Sequence, residues 1–203
     1  MEVGIIPQEY FIVPYKDHEK NIEELLRMLS AADAHELKDE GQSLSWTDLG
    51  IETRREYFTR LLRDDFELLF KNFISYYNNI RGVGQWADMR LSFWFNQTEK
   101  GDYVKWHNHP TAFMCAVYYA ELPDPEDVIE IKGVDNKIYK PQVKEGDVVF
   151  FPANFVHCVK HTSAKRKTSI NFNIVCHIDN MKAMMMGAAE GPSEKENTTI
   201  ETI

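Results

Sequence analysis

The sequence predicts an α+β protein in which amino-terminal helices brace an antiparallel sandwich, jelly roll or small barrel. Three observations carry that expectation. Apolar residues recur at helical spacing up to about residue 80, then switch to alternation after Gly84. Short segments rich in Val, Ile, Phe and Tyr follow, separated by turn signals such as Lys100-Gly101-Asp102, Pro123-Asp124-Pro125 and Glu145-Gly146-Asp147. Short antiparallel strands must hide their edges, which favours a closed or two-layered sheet with helices on one face. The 203 residues suffice for one substantial core and read as one domain in three stretches. Residues 1–85 supply a strand and helices packed on the core, 86–178 form the strand core, and 179–203 are a Met-rich and polar tail, expected to be partly disordered.

In chain order, residues 4–14 read as an extended lead-in with a short strand at Tyr10–Val13, bounded by Pro7 and Pro14. Asp17 is placed to cap a helix whose stripe is Ile22, Leu25, Leu26 and Leu29. Residues 36–51 are polar and read as loop. Thr53 and Glu56 have capping-box spacing and open a second helix carrying Phe58, Leu61, Leu62, Leu69, Phe73, Tyr76 and Ile80, with a break expected near Arg63–Asp65. Gly82 and Gly84 end it. Its aromatic stripe reads as core facing a sheet rather than as a ligand site. The expected strands are Met89–Phe95, Met114–Leu122, Val128–Lys132, Val148–Phe151 and Thr168–Cys176. The run Met181–Met186 reads as a terminal helix or a cover over the barrel or a partner's groove.

Composition narrows the partners. A net charge of -9 argues against nucleic acid and anionic membranes, which favour basic surfaces. Cys115, Cys158 and Cys176 lie in apolar, strand-like surroundings without paired spacing, so reduced thiols and a cytoplasmic location are expected. No basic, apolar leader opens the chain, and the runs 113–120 and 148–151 are too short to span a bilayer. An oligomer is compatible with all of this.

The chemistry concentrates in Lys105-Trp106-His107-Asn108-His109-Pro110 and, some fifty residues on, in Gly146-Asp147, an apolar strand, Pro152 and His157. Two histidines one residue apart can share one face of a strand. The glycine starts a second strand and the proline stops its pairing just before the third imidazole. Three converging imidazoles, two from one strand and one from another, form a ligand set for a first-row transition metal with its far side open to ligands. His18, His35, His161 and His177 lack such joint context and read as packing residues.

The stretch from Trp94 to Asn173, about half the chain, resembles the double-stranded β-helix core of the Fe(II)/2-oxoglutarate-dependent oxygenases. More narrowly, it resembles a phage and bacterial branch marked by His-x-His-Pro, a strand ending in Tyr-Tyr, Phe-Pro-x4-His, and a last strand reading Arg-x-Ser-Ile-x-Phe-Asn. The chain supplies His107-Asn108-His109-Pro110, Val117-Tyr118-Tyr119, Phe151-Pro152 with His157, and Lys167-Thr168-Ser169-Ile170-Asn171-Phe172-Asn173. The resemblance implies a jelly-roll, cupin-like core binding Fe(II), with 2-oxoglutarate as co-substrate and O2 as oxidant. It implies a hydroxylase that couples decarboxylation of 2-oxoglutarate to succinate with oxidation of a small molecule or a protein side chain. His107 and His157 are the implied metal ligands, with His109 where such enzymes carry Asp or Glu. Asp102, Asp147, Glu130 and Asp135 are other sources of an anion.

The family anchors its co-substrate through a cation at the start of the last core strand, where Arg166 and Lys167 stand. Lys167 shares parity with the polar set Ser169, Asn171 and Asn173, whereas Arg166 shares it with Ile170, Phe172 and Ile174. A site for a dicarboxylate is lined by the polar set, which selects Lys167, with Ser169 and Asn171 beside it; a one-residue bulge would reverse the choice. Tyr103 and Tyr119 are candidate hydroxyl donors to the same ligand, and packing explains them equally well.

Two other readings use the same letters. Gly101-x5-His107-x-His109 and Gly146-x5-Pro152-x4-His157 also fit the spacing of a cupin-type dioxygenase or sugar-modifying metalloenzyme, but Phe113 and Met114 stand where its glutamate belongs. A non-catalytic binding module on a degenerate barrel is the third reading, motivated by the missing carboxylate.

Overall fold

The computed structural model of the chain describes residues 10–51, 55–81, 89–133 and 135–176. Thr53, the stop at Gly82 and Gly84, His177, the Met181–Met186 run and the polar tail lie outside the described residues. Eleven strands and two main helices follow in the order β1 (Phe11–Pro14), α1 (His18–Ser30), β2 (His35–Lys38), β3 (Gln42–Thr47), α2 (Arg63–Arg81), β4 (Met89–Thr98), β5 (Tyr103–His107), β6 (Met114–Glu121), β7 (Glu130–Lys132), β8 (Ile138–Tyr139), β9 (Asp147–Pro152), β10 (His157–Lys160) and β11 (Lys167–Cys176). A π-helical turn, Phe58–Leu62, leads directly into α2.

The strand order β1-β9-β6-β11-β4-β3-β5-β10-β7-β8 describes one sheet folded over on itself, and β2 pairs with β3. All the pairings are antiparallel. β9, β6, β11 and β4 form one layer, and β5, β10, β7 and β8 the other. β3 ties the two together, pairing Trp46 with Gln97 of β4 and Gln42 with Val104 of β5. This is a double-stranded β-helix, as the resemblance implied.

Period two sorts the side chains of the first layer. Met114, Ala116, Tyr118 and Ala120 of β6, Val148 and Phe150 of β9, and Ile170, Phe172 and Ile174 of β11 join one core with the helices. Phe66 of α2 stacks on Phe172 at 5.3 Å and Phe73 on Phe150 at 4.0 Å, so the helix braces the sheet as expected, with Phe66 added to the stripe and Tyr76 left exposed. Cys115 and Tyr119 of β6 and Val149 and Phe151 of β9 face the other way, into a second core inside the barrel. The runs Met114–Ala120 of β6 and Val148–Phe151 of β9 carry no charged residue because both of their faces are buried.

Several local expectations are corrected. Asp17 makes no side-chain cap bond to α1; its backbone carbonyl accepts the Asn21 N–H at 3.0 Å instead. The second helix is continuous at Arg63–Asp65, and its irregularity is the earlier π-turn, where the Arg63 N–H reaches the Phe58 carbonyl. Residues 36–51 are not loop: they hold most of β2 and all of β3. Their turn is closed by Asp39 Oδ1, which accepts the N–H groups of Gly41 and Gln42 at 2.6 and 3.0 Å. β10, like β8, is a strand beyond the five apolar runs. No helix among the described residues is long and apolar enough to cross a membrane.

Gly146, in the turn before β9, has φ +89°, and a Cβ there would lie 3.0 Å from Cγ of the buried His18. Gly146→Ala combines a left-handed backbone penalty with overpacking, so a loss of about 2–3 kcal/mol is expected. The urea midpoint should fall accordingly; an unchanged midpoint would show that α1 shifts freely.

Candidate metal centre

β5 and β10 are antiparallel neighbours, and their register sets His107 directly opposite His157, with ring centroids 4.2 Å apart. His109 arrives differently. β5 ends at His107, so His109 stands in the following loop and not, as strand parity predicted, on the same strand face. Its backbone N–H is held by the Ala153 carbonyl at 2.8 Å, and its own carbonyl accepts the Ala112 N–H at 3.0 Å. That pinned loop brings its ring centroid within 5.0 Å of His107 and 5.2 Å of His157. One ligand nitrogen from each of the three lies within 4.8 Å of the others.

The first two rings share an orienting device. Nδ1 of His107 lies 2.8 Å from the Lys105 carbonyl, and Nδ1 of His157 lies 2.8 Å from the Phe155 carbonyl. A carbonyl can only accept, so each Nδ1 carries a proton, and in the neutral ring the lone pair lies on Nε2. Burial pushes the pKa of His157 down to about 3, and burial together with His107 pushes that of His109 down to about 4. Both rings are therefore neutral at physiological pH, as metal ligation requires. The donor set suits a divalent first-row metal.

No carboxylate joins the cluster among the described residues. Asp102 instead accepts hydrogen bonds from Ser43, Ser45 and the Glu99 N–H. Asp147 accepts from the Lys144 N–H, Glu130 pairs with Lys140, and Asp135 accepts from Tyr139.

The imidazoles line a cavity of about 640 Å³ that also takes in Gln42, Trp94 and Asn96. Through shared walls, including Val104, Val117 and Asn171, it adjoins a chamber of about 30 Å³ lined by Tyr103, Tyr119, Lys167 and Ser169. Lys167 is 2% exposed, and its Nζ donates to the Asp127 carbonyl at 2.8 Å, the one hydrogen bond that this three-proton ammonium makes among the described residues. Burial lowers its pKa to about 8. The Tyr119 hydroxyl accepts the Ile129 N–H at 3.0 Å, which leaves its own proton to donate. Arg166 stands outside: its partly exposed guanidinium pairs with Glu121 at 3.1 Å, and it lines neither space. The register irregularity between Thr168 and Ser169 is an extra residue, Ala120, in β6, while β11 runs unbroken against β4. Parity along β11 is thus preserved.

Several lining residues were missed from sequence. Gln42 and Gly41 belong to the segment read as loop, and Asp127 meets Lys167 through a backbone carbonyl, which has no side-chain signature. Asn173 was visible only as one of the polar set on β11.

Residues 92–141 match the family model described as "Putative 2OG-Fe(II) oxygenase", a span that includes His107 and His109. None of the curated proteins matches the chain. Among solved structures, a prolyl-4-hydroxylase from Pseudomonas putida is similar at TM-score 0.61 and 14% identity, over 84% of this chain and 94% of that one. An oxidoreductase of the 2OG-Fe(II) oxygenase family from Burkholderia pseudomallei gives 0.63 and 12%, over 83% and 86%. HygX from Streptomyces hygroscopicus, with nickel, 2-oxoglutarate and hygromycin B bound, gives 0.58 and 13%, over 83% of each chain. The fold is the one these Fe(II)/2-oxoglutarate-dependent oxygenases share, and residues 92–141 resemble the model of that family.

Proposed function

We propose that the chain is an Fe(II)- and 2-oxoglutarate-dependent hydroxylase in which His107, His109 and His157 hold the metal and Lys167 anchors the co-substrate. The observation that carries this reading is the pairing of three clustered imidazoles with a buried ammonium across two adjoining cavities. When bound, Fe(II) supplies the redox chemistry that couples oxidation of 2-oxoglutarate to succinate and CO2 with oxidation of the substrate by O2. The chain's own contribution is orientation and exclusion of water. The Nδ1–H bonds of His107 and His157 hold two ligands in register. Lys167, Tyr119 and Ser169 receive the distal carboxylate, with Tyr103 and Asn171 alongside, while Val104, Val117, Ile129 and Val159 keep the space between dry.

The described lining of the larger cavity contains no Asp or Glu, and Lys105 is its one lysine or arginine. That supports a neutral or anionic primary substrate over a cationic one. The hydroxylase and HygX neighbours motivate both a protein side chain and a small molecule as candidates. The buried free thiols Cys115 and Cys158 and the His-x-His-Pro motif fit a cytoplasmic enzyme of the phage and bacterial branch.

Succinate release tests the proposal. It is expected to require both Fe(II) and 2-oxoglutarate and to rise with an acceptable substrate. The absence of a clustered carboxylate among the described residues favours one competitor, a non-catalytic binding module on a degenerate barrel. Tight metal binding without succinate would support that competitor.

A further inference from the structure

His107 and His157 are each oriented by the backbone carbonyl two residues earlier in their own segment. His109, in the loop after β5, has no such carbonyl among the described residues. The partner of its ring is a side chain: Nδ2 of Asn173 lies 3.4 Å from His109 Nδ1. Asn173 sits in mid-sheet on β11, paired with Ser92 on one side and Cys115 on the other, so its backbone is held from both flanks. The other end of its carboxamide is also engaged, since Oδ1 accepts the Cys115 thiol at 3.4 Å.

The direction of the His109 contact has a chemical consequence. With the NH2 group facing it, Nδ1 is an acceptor, and the proton of the neutral ring resides on Nε2, where it blocks ligation through that nitrogen, the one not engaged by Asn173. A half-turn of the carboxamide exchanges O for NH2 in nearly the same volume. Oδ1 then accepts Nδ1–H, Nε2 gains a lone pair, and the NH2 faces the Cys115 sulfur, a weak acceptor. The two carboxamide positions thus correspond to the two tautomers of His109, of which one can complete the cluster.

We propose that Asn173 is the positioning residue that selects the His109 tautomer and thereby decides whether the third imidazole can bind the metal. The proposal rests on the reading of His107, His109 and His157 as metal ligands. It assigns to a neutral carboxamide on β11 the role that backbone carbonyls play for the other two rings. It also makes the third ligand switchable, because a carboxamide can exchange its O and NH2 ends and a backbone carbonyl can only accept.

Co(II) binding to the full chain, followed by equilibrium dialysis and by the visible ligand-field spectrum, tests this without any turnover. Asn173→Leu removes both hydrogen-bonding ends at similar size and is expected to weaken Co(II) about 10–100-fold, the usual cost of an outer-shell partner. Asn173→Asp offers only acceptors, locks Nδ1–H, and is expected to restore affinity and the wild-type spectrum. In a His109→Ala background, Asn173→Leu is expected to have no further effect, since its route to the metal is gone. Thermal melting of each apo variant reports whether it folds. Wild-type affinity and spectrum in Asn173→Leu overturn the proposal, as does an equal loss in the His109→Ala background. Loss in both Asn173→Leu and Asn173→Asp also overturns it, because packing alone would explain it. If His107→Ala leaves Co(II) binding intact, or the wild-type chain binds none, the underlying metal assignment fails as well.

Discussion

His157→Ala abolishes Fe(II) binding at micromolar metal, with a loss larger than the roughly 100-fold that removing an outer-shell partner costs. His157 is 4% exposed, faces His107 across the β5–β10 pair, and has its Nδ1 fixed on the Phe155 carbonyl. Alanine therefore removes a ligand whose orientation is already set, and no described carboxylate stands near enough to replace it. Metal analysis after dialysis, beside a melting curve of the apo protein, is the measurement. Full iron occupancy in the variant would falsify the three-imidazole assignment.

Lys167→Met weakens 2-oxoglutarate by two orders of magnitude or more, whereas Arg166→Ala changes it less than about threefold. Truncating one partner of a buried, hydrogen-bonded charge pair costs about 2–5 kcal/mol; an exposed ion pair such as Arg166–Glu121 is worth about 0–1 kcal/mol. The pH dependence has a definite sign. With its pKa lowered by burial to about 8, Lys167 is charged below that pH and increasingly neutral above it. Affinity for the dianionic co-substrate should fall as pH rises past about 8, and binding above that pH should take up a proton. The free protein behaves oppositely: from about 8 to the ordinary lysine range the unfolded chain binds more protons at this residue, so its contribution to stability rises with pH. Titration calorimetry in buffers of different ionisation enthalpy reads the proton uptake. Equal losses in the two variants would mean that the co-substrate binds elsewhere.

The features readable from the sequence are those that a two-residue period exposes. The alternation of Ser169, Asn171 and Asn173 with Ile170, Phe172 and Ile174 tells cavity from helix-facing core, and it separates Lys167 from Arg166. It survives in three dimensions because the one irregularity beside it falls in β6. Features that depend on distant partners escaped. β3 reads as loop because its serines are polar, yet Ser43 and Ser45 are satisfied by Asp102 of the β4–β5 turn, 59 and 57 residues on. His109 meets the other imidazoles by a route that spacing alone does not reveal, since His-x-His describes a strand and a pinned loop equally well.

β11 carries Lys167 near one end and Asn173, the neighbour of His109, near the other. Six residues at about 3.3 Å each separate them by about 20 Å of backbone. The strand is paired with β4 over its whole length and with β6 over most of it, so that interval cannot stretch or slip. On the proposed reading it fixes the spacing between the anchor and the metal ligands. A dicarboxylic keto acid one carbon shorter than 2-oxoglutarate is then expected to bind more weakly, because neither end of the strand can move to meet it.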